Sequence, residues 1–244
     1  SARNIEKKRK HVLELSYLHF KLNIATNQPF TDVVGELDVH AADAWQKACD
    51  ELCIDMEIDP IDQQIKDCVT QVRGQVKDIA RSLVMKTYGF VSIEDCEDEE
   101  GDDEIKLTQQ ANCELYKKLK TKSTFAYLDP NDKTIPNSLY RNKITSKIIN
   151  KQFFSDAHAD GVKYPQYFTD GIPLKLIAFV LTAVELALDE WHTGQFEKVE
   201  FKGKKYEKVY NRHLDDLQCW KTFTKERGDP LAQKLQNSLL ERAR

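Results

Sequence analysis

Three ionisable residues share one face of an otherwise apolar segment of the sequence. Glu185, Asp189 and His192 stand at positions i, i+4 and i+7 of the segment 173–191 and just after it, which places them on the same side of a helix. Paired carboxylates and histidines on bundle helices can hold metal ions, but that design needs a Glu-x-x-His motif from other helices, and the sequence has none. The alternative is structural: Glu185 pairs with a lysine or arginine, and Asp189 and Glu190 form the solvated end of the helix.

A second group of metal-capable side chains lies in the segment 156–161, which contains Asp156, His158 and Asp160. The segment begins as a calcium loop does, but its twelfth position is Tyr167, where a calcium loop needs a bidentate glutamate. The alternative is a polar turn in which Asp156 hydrogen-bonds to nearby backbone. The polar residues thus leave two possibilities: an enzyme or metal-binding protein with an inter-helical site that uses Glu185, His158 or His192, or ordinary structural roles.

Several motifs that carry well-understood chemistry do not occur in the sequence. There is no GxxxxGK[ST] phosphate loop, no GxGxxG, no HExxH, no GxSxG and no CxxC pair. Their absence removes the most common nucleotide-dependent, zinc-protease and serine-hydrolase mechanisms. The sequence therefore predicts no cofactor and no bound metal.

Basic residues gather in two segments and form the candidate basic surface. Its members are Arg141, Lys143, Lys147, Lys151, Lys202, Lys204, Lys205 and Lys208. Such a surface could bind the phosphate backbone of a nucleic acid even though the formal net charge is −4 and the pI about 5.9, because local patches can act despite an acidic total. The alternative is that these lysines form ordinary solvated helix faces.

The elements that position these residues are predicted to be helices. The segment 173–191 is apolar on nearly all sides, which is typical of a helix buried in the centre of a core. Apolar residues also recur at spacings of three and four after Pro60, with Gly89 as the stop signal. Only the region 199–206 suggests a short β-hairpin. The predicted fold is all-α, a multi-helix bundle around the central helix.

The length of 244 residues suits one helical domain over 1–244, with a core at about 60–225. The segments 1–25 and 230–243 are predicted as helical extensions, and the nine acidic residues of 94–104 as a solvated loop. No apolar run is long enough to span a membrane. Six cysteines without a glycosylation sequon favour an intracellular, reducing location in the cytoplasm or nucleus.

The C-terminal half resembles a known family through LYRNKITSKIINKQFF (139–154), YPQYFTDGIPLKLIAFVLTAVELALDEWHTG (164–194) and YEKVYNRHLDDLQCW (206–220). These stretches are similar to a helical domain of unknown function that is expanded in mushroom-forming fungi. RGQVKDIARSLVMKTYGF (73–90) is similar to the N-terminal helix of that domain. The resemblance implies a helical unit with no established activity, cofactor or catalytic residues. We therefore expect a non-enzymatic interaction domain that binds a protein or nucleic acid partner.

Overall fold

The computed structural model describes residues 2–31, 34–58, 65–92, 101–200 and 203–244. Its α-helices are α1 (Ala2–Asn27), α2 (Val34–Leu52), α3 (Cys68–Tyr88), α4 (Gly101–Lys120), α5 (Lys143–Phe153), α6 (Asp160–Lys163), α7 (Leu174–Asp189), α8 (Gly203–Glu226) and α9 (Leu231–Ala243). Short 3-10 helices lie at Thr121–Ala126 and Pro165–Phe168. Within the described ranges the chain forms no β-strand, so the all-α prediction is confirmed.

Helix α7 is the centre of the bundle. Every residue from 176 to 188 is buried, because the sequence offers apolar side chains on almost every face. Helices α3 and α8 make the largest contacts with α7, and α1, α4 and α5 also pack against it. The buried hydroxyl of Thr182 donates to the carbonyl of Ala178 at 2.7 Å. No helix among the described residues is long and apolar enough to cross a membrane.

Helix α1 belongs to this core. The sequence predicts 1–25 as an extension of a core at 60–225, whereas α1 packs against α2, α3 and α7. Phe20, Leu22 and Ile24 of α1 are at most 1 % exposed. The prediction differs from the structure because the first turns of α1 are polar, whereas its second half is apolar.

Helix α9 also packs against the bundle, through α5 and α8. It buries Leu235 and Leu239, and it follows the predicted segment 230–243 closely. Asp229 stands where a capping residue would stand, but its side chain instead accepts a hydrogen bond from Lys234 at 2.9 Å. The residue at the cap position is Pro230, and no side chain caps the helix.

The predicted β-hairpin at 199–206 is wrong for the part that the structure describes. Val199 and Glu200 are not in a strand, and the first turn of α8 begins at Gly203; residues 201–202 lie outside the described ranges. Tyr206, Tyr210 and His213, spaced as one face of a helix, are all buried. This helical burial outweighs the weak alternation that suggested a strand.

Helix α3 ends where the sequence predicts and begins later. Gly89 adopts a left-handed conformation at φ 86° and its N–H bonds to the carbonyl of Met85, so the stop signal is confirmed. The helix begins at Cys68, after a 3-10 turn at 65–67. The start signals expected at Asp59 and Pro60 lie outside the described residues.

The predicted acidic loop 94–104 is corrected at its C-terminal end. Residues 94–100 lie outside the described ranges, whereas 101–104 form the first turn of α4. Asp103 and Glu104 are exposed there. Negative charge near a helix N-terminus is favourable because it opposes the positive end of the helix dipole, so like-charge repulsion does not prevent this turn.

Candidate functional site

Glu185 is a buried carboxylate in the middle of α7, only 4 % exposed. It accepts hydrogen bonds from Lys120 Nζ at 2.8 Å, at the end of α4, and from the guanidinium of Arg212 on α8. Its Oε2 also lies 2.7 Å from Nε2 of His213. The carboxylate therefore joins three helices at one point, as the salt-bridge alternative in the sequence analysis expected.

Asp189 extends this arrangement by one turn of α7. Lys120 Nζ lies 2.7 Å from Asp189 Oδ1 and so bridges both carboxylates. The hydroxyls of Tyr116 and Tyr206 donate to Asp189 at 3.2 and 3.3 Å. Lys205 Nζ approaches Asp189 Oδ2 at 3.8 Å. We call Glu185, Asp189 and these contacts the Glu185–Asp189 centre.

The electrostatics of the centre keep Glu185 ionised. Burial alone would raise the pKa of Glu185, but the hydrogen bond from His213 and the charge of Lys120 act in the opposite direction. With the hydrogen bond from Arg212 added, the pKa of Glu185 falls below its ordinary value. Burial and the nearby Asp189 raise the pKa of Tyr116 to about 12. General acid–base groups work best with a pKa near the operating pH. The shifts of Glu185 and Tyr116 away from neutral pH therefore favour a role in holding the helices together over a role in proton transfer.

A cavity of about 370 Å³ opens beside the centre, with Glu185, Lys120 and Arg212 among its lining residues. Three non-glycine residues in its wall have positive φ: Lys122 (51°), Ser123 (50°) and Tyr140 (62°). Such left-handed conformations cost about 1–2 kcal/mol each and persist where the surrounding structure holds them. The wall is thus built from strained backbone between α4 and α5.

Cationic side chains lie at the end of α4, in the adjoining 3-10 helix and along the N-terminal half of α8, and three of them, Lys120, Lys122 and Arg212, line this cavity. We call them the α4–α8 basic surface, and they are Lys120, Lys122, Lys204, Lys205, Lys208 and Arg212. All except the half-buried Lys120 are exposed. Lys205 and Arg212 are seven residues apart with Lys208 between them, so they share one face of α8. Glu185 and Asp189, which lie beneath this surface, pair with Lys120 of α4 and with Lys205 and Arg212 in the N-terminal half of α8.

The remaining predicted bases form a separate group on or next to α5: Arg141, Lys143, Lys147 and Lys151. The three lysines are exposed, and Arg141 lines a cleft with Trp220 of α8. Arg141 directly follows Tyr140, which lines the cavity beside the Glu185–Asp189 centre, whereas Lys143, Lys147 and Lys151 are not among the residues that line that cavity. Lys202 lies outside the described residues.

The candidate polar residues do not come together in the structure; they are Asp156, His158, Asp160, Glu185 and His192. Asp156 accepts from the backbone N–H of His158 at 2.7 Å in an exposed turn, and Asp160 pairs with Lys21 at 2.6 Å. The exposed His192 places Nδ1 2.9 Å from the carbonyl oxygen of Asp189, while the partners of Glu185 come from α4 and α8. Within the described residues, no three His, Cys, Asp or Glu side chains are arranged to hold a metal ion.

Glu190 corrects the expectation of a solvated helix end. Its side chain has no exposed surface, and Arg81 of α3 binds it with two hydrogen bonds of 2.5 and 2.8 Å. The backbone N–H of Val199 also donates to Glu190 at 3.3 Å. Glu190 thus fastens α3 and the segment after α7 to the core.

The end of the segment 164–194 packs against α4 and against Phe90, just after α3. Trp191 stacks on Phe90 with ring centroids 4.8 Å apart. Asn112 of α4 donates to the carbonyl of Gly194 at 2.9 Å. Gly194 has φ 83°, and a Cβ there would lie 2.1 Å from the carbonyl oxygen of Gln109. Only glycine fits this close approach.

Sequence reasoning missed the contribution of Lys120 and the pairing of His213 with Glu185. His213 is 1 % exposed, and its position on the apolar face of α8 is typical of a core histidine, but nothing in the sequence identifies its partner. The sequence does carry one signal. Glu185 in the apolar part of α7 and His213 on the apolar face of α8 each need a buried hydrogen-bond partner. No comparable local pattern marks Lys120.

Comparison of the chain with known proteins and protein families gives one match. No curated protein and no solved structure gives a significant match to the chain. One family model, described as a domain of unknown function (DUF6532), matches residues 15–220 and so includes α7, the second half of α1 and most of α8. This match begins well before the resemblance at 60–225, in agreement with the burial of α1. The chain therefore belongs to the DUF6532 family of domains of unknown function.

Proposed function

We propose that this domain is a binding module that engages the phosphate backbone of nucleic acid through the α4–α8 basic surface. The observation that carries the proposal is the convergence of Lys120, Lys205 and Arg212 on two neighbouring carboxylates of α7. Cations held in place by buried partners lose less side-chain freedom when a ligand arrives. Exposed lysines beside them add charge without such anchoring.

Charge in the surroundings also supports a polyanionic partner. Glu185 and Asp189 lie beneath the surface, where Lys120 and Arg212 neutralise them. Exposed Lys122, Lys204 and Lys208 have no carboxylate within ion-pair distance among the described residues. Backbone contacts by lysine and arginine supply sequence-independent affinity for DNA or RNA. The proposal therefore predicts binding with little sequence preference.

Two further considerations fit this proposal better than an enzyme. The lowered pKa of Glu185 makes it a poor proton donor at neutral pH, and the ring of His192 contacts the backbone carbonyl of Asp189 rather than Glu185. An intracellular location is part of the proposal, since six cysteines without a glycosylation sequon favour a reducing compartment. An acidic protein is the alternative partner, because its carboxylates could form ion pairs with the same lysines and arginine.

Fluorescence anisotropy with a labelled 20-base-pair duplex, a single strand of equal length and a labelled polyglutamate peptide tests the proposal. We expect a Kd of about 1–100 μM for the nucleic acids at physiological salt, weakening as salt rises. The triple variant Lys204→Gln, Lys205→Gln, Lys208→Gln should weaken binding about tenfold or more and reduce the salt slope by about 2–3.

The matched control changes the same number of exposed lysines elsewhere, as Lys143→Gln, Lys147→Gln and Lys151→Gln on α5. We expect this control to bind nucleic acid almost as the unchanged protein does. Equal weakening by both triples, or no binding of either nucleic acid at 50 mM salt, would contradict the proposal. Tighter binding of polyglutamate than of both nucleic acids would favour a protein partner instead.

A further inference from the structure

A cleft lies between the end of α3 and the segment that follows α7. Its volume is about 460 Å³, which is within the range of small-molecule sites. Its lining includes Met85 of α3 and, after α7, Trp191 and Phe196. None of its described lining residues also lines the cavity beside the Glu185–Asp189 centre. We call it the Trp191 cleft, and the proposed nucleic-acid surface does not use it.

One buried amide fixes the walls of this cleft. The side chain of Asn112 on α4, which is 3 % exposed, donates to the carbonyls of Val91 and Gly194 at 2.8 and 2.9 Å. It also accepts a hydrogen bond from the N–H of Val91 at 3.1 Å. The residues that follow these two, Ser92 and Gln195, both line the cleft. The cleft is therefore preformed, which lowers the entropic cost of binding a ligand.

Apolar side chains in the cleft remain open to solvent. Met85 is 41 % exposed and Phe196 is 43 % exposed. The ring of Phe196 lies 5.8 Å from that of Trp191, between ring centroids, at an interplanar angle of 56°. Aromatic rings at such distances attract further rings, and the sulfur of a methionine makes favourable contacts with ring edges. The apolar part of the cleft therefore suits an aromatic ligand.

The wall of the cleft also holds an unpaired hydrogen-bond donor. Trp191 is only 4 % exposed, yet its indole N–H donates to no group among the described residues. Its Nε1 is not one of the fully enclosed unpaired atoms, so a ligand can reach it. By contrast, the indole N–H of Trp45 donates to the carbonyl of Met56 at 2.7 Å. Since a largely buried indole N–H usually has a partner, the donor of Trp191 calls for an acceptor on a ligand.

The charges at the cleft are already paired. Arg81 is the one charged side chain among the described lining residues, and its guanidinium binds the buried Glu190 through two hydrogen bonds. Its Nη1 donates to Asp78 at 3.0 Å, and Lys77 lies 3.6 Å from the same carboxylate. Arg81 therefore has no unpaired charge to offer. An ionic ligand would lose hydration without gaining a partner, so the cleft favours a neutral one.

From these features we propose that the Trp191 cleft binds a neutral, planar aromatic molecule that carries a carbonyl acceptor. The ring of this ligand packs against Met85 and Phe196. Its carbonyl oxygen accepts a hydrogen bond from the indole N–H of Trp191. The site is one of binding alone, with no covalent step.

Titration of the ¹⁵N-labelled protein with coumarin, naphthalene and coumarin-3-carboxylate, followed by NMR, tests this assignment. Coumarin is neutral and has a carbonyl, naphthalene lacks the acceptor, and the carboxylate adds a negative charge. We expect coumarin to bind with a Kd of about 1 mM or below and to move the indole N–H proton signal of Trp191 downfield. The indole signal of Trp45, whose N–H is already bonded, should stay in place. Naphthalene should cause no downfield shift of the Trp191 signal, and the carboxylate should bind about threefold or more weakly than coumarin.

Phe196→Ala and Phe223→Ala form a matched pair of variants. Both phenylalanines are exposed, by 43 % and 55 %, so both variants should fold. Phe196 lines the cleft, whereas Phe223 lies near the end of α8. Phe196→Ala should weaken coumarin binding about fivefold or more, because the contact with the ligand ring is lost, and Phe223→Ala should leave it unchanged.

Five results would overturn the assignment. They are absence of coumarin binding, an unmoved Trp191 indole signal in the presence of bound coumarin, an equal downfield shift with naphthalene, tighter binding of the carboxylate than of coumarin, and equal weakening by the two phenylalanine variants.

Discussion

Replacing Arg81 with leucine removes the cation that neutralises Glu190, a carboxylate with no exposed surface. Two charge-assisted hydrogen bonds, of 2.5 and 2.8 Å, are lost, and each is worth about 1.5–3 kcal/mol. The remaining donor is the backbone N–H of Val199 at 3.3 Å. Breaking a buried ion pair at one partner typically costs about 3–5 kcal/mol, a range that lies within the sum of about 3–6 kcal/mol for the two hydrogen bonds. We therefore expect Arg81→Leu to lower the free energy of unfolding by about 3–5 kcal/mol.

Urea unfolding followed by circular dichroism at 222 nm measures this loss. The matched control is Asp78→Ala, which removes an exposed partner of the same arginine, 3.0 Å away, and should cost at most about 1 kcal/mol. Adding Glu190→Leu to Arg81→Leu should recover part of the lost stability, because the buried charge is gone. A loss below about 1 kcal/mol for Arg81→Leu, or no recovery in the double variant, would refute the reasoning.

Three other substitutions probe the core and its closest contacts by the same unfolding measurement. Because the folded pKa of Glu185 is depressed, its stabilisation is present above about pH 4.5 and is lost as the pH falls through the folded pKa; Glu185→Gln should lack this acid-dependent loss, and parallel pH profiles would contradict it. Gly194→Ala should cost about 2 kcal/mol or more, because the Cβ meets Gln109, whereas Gly89→Ala, at a similar φ in open space, should cost about 1 kcal/mol; equal losses would be evidence against the close approach. Ala178→Asp should abolish folding by burying an unpaired charge at a position with no exposed surface, and a soluble, cooperatively melting variant would refute the central position of α7.

The helices could be predicted because their signals are local. Apolar residues at helical spacing and the stop at Gly89 predicted the end of α3, and the nearly continuous apolar run of 173–191 predicted a buried α7. The helix boundaries were less accurate, since the start of α3 and the first turn of α8 depend on packing against other helices. The strand suggested at 199–206 failed for that reason.

The candidate site could be predicted only in part. Glu185 is an acidic residue surrounded in the sequence by apolar residues, so the sequence alone indicates that it needs a buried partner. Which partner it finds depends on how α4 and α8 pack against α7, and no spacing in the sequence encodes the approach of Lys120 or His213. Likewise, Glu190 looked like a solvated helix end because its partner, Arg81, lies 109 residues away in the chain.

Chemical-shift mapping of the ¹⁵N-labelled protein with an unlabelled 12-base-pair duplex tests most directly whether the α4–α8 basic surface is the nucleic-acid site. Our account predicts that the largest amide shifts fall in 120–123 and 204–212, and that they shrink as salt is added. Shifts concentrated on α5, on the Trp191 cleft, or nowhere in the spectrum would contradict it.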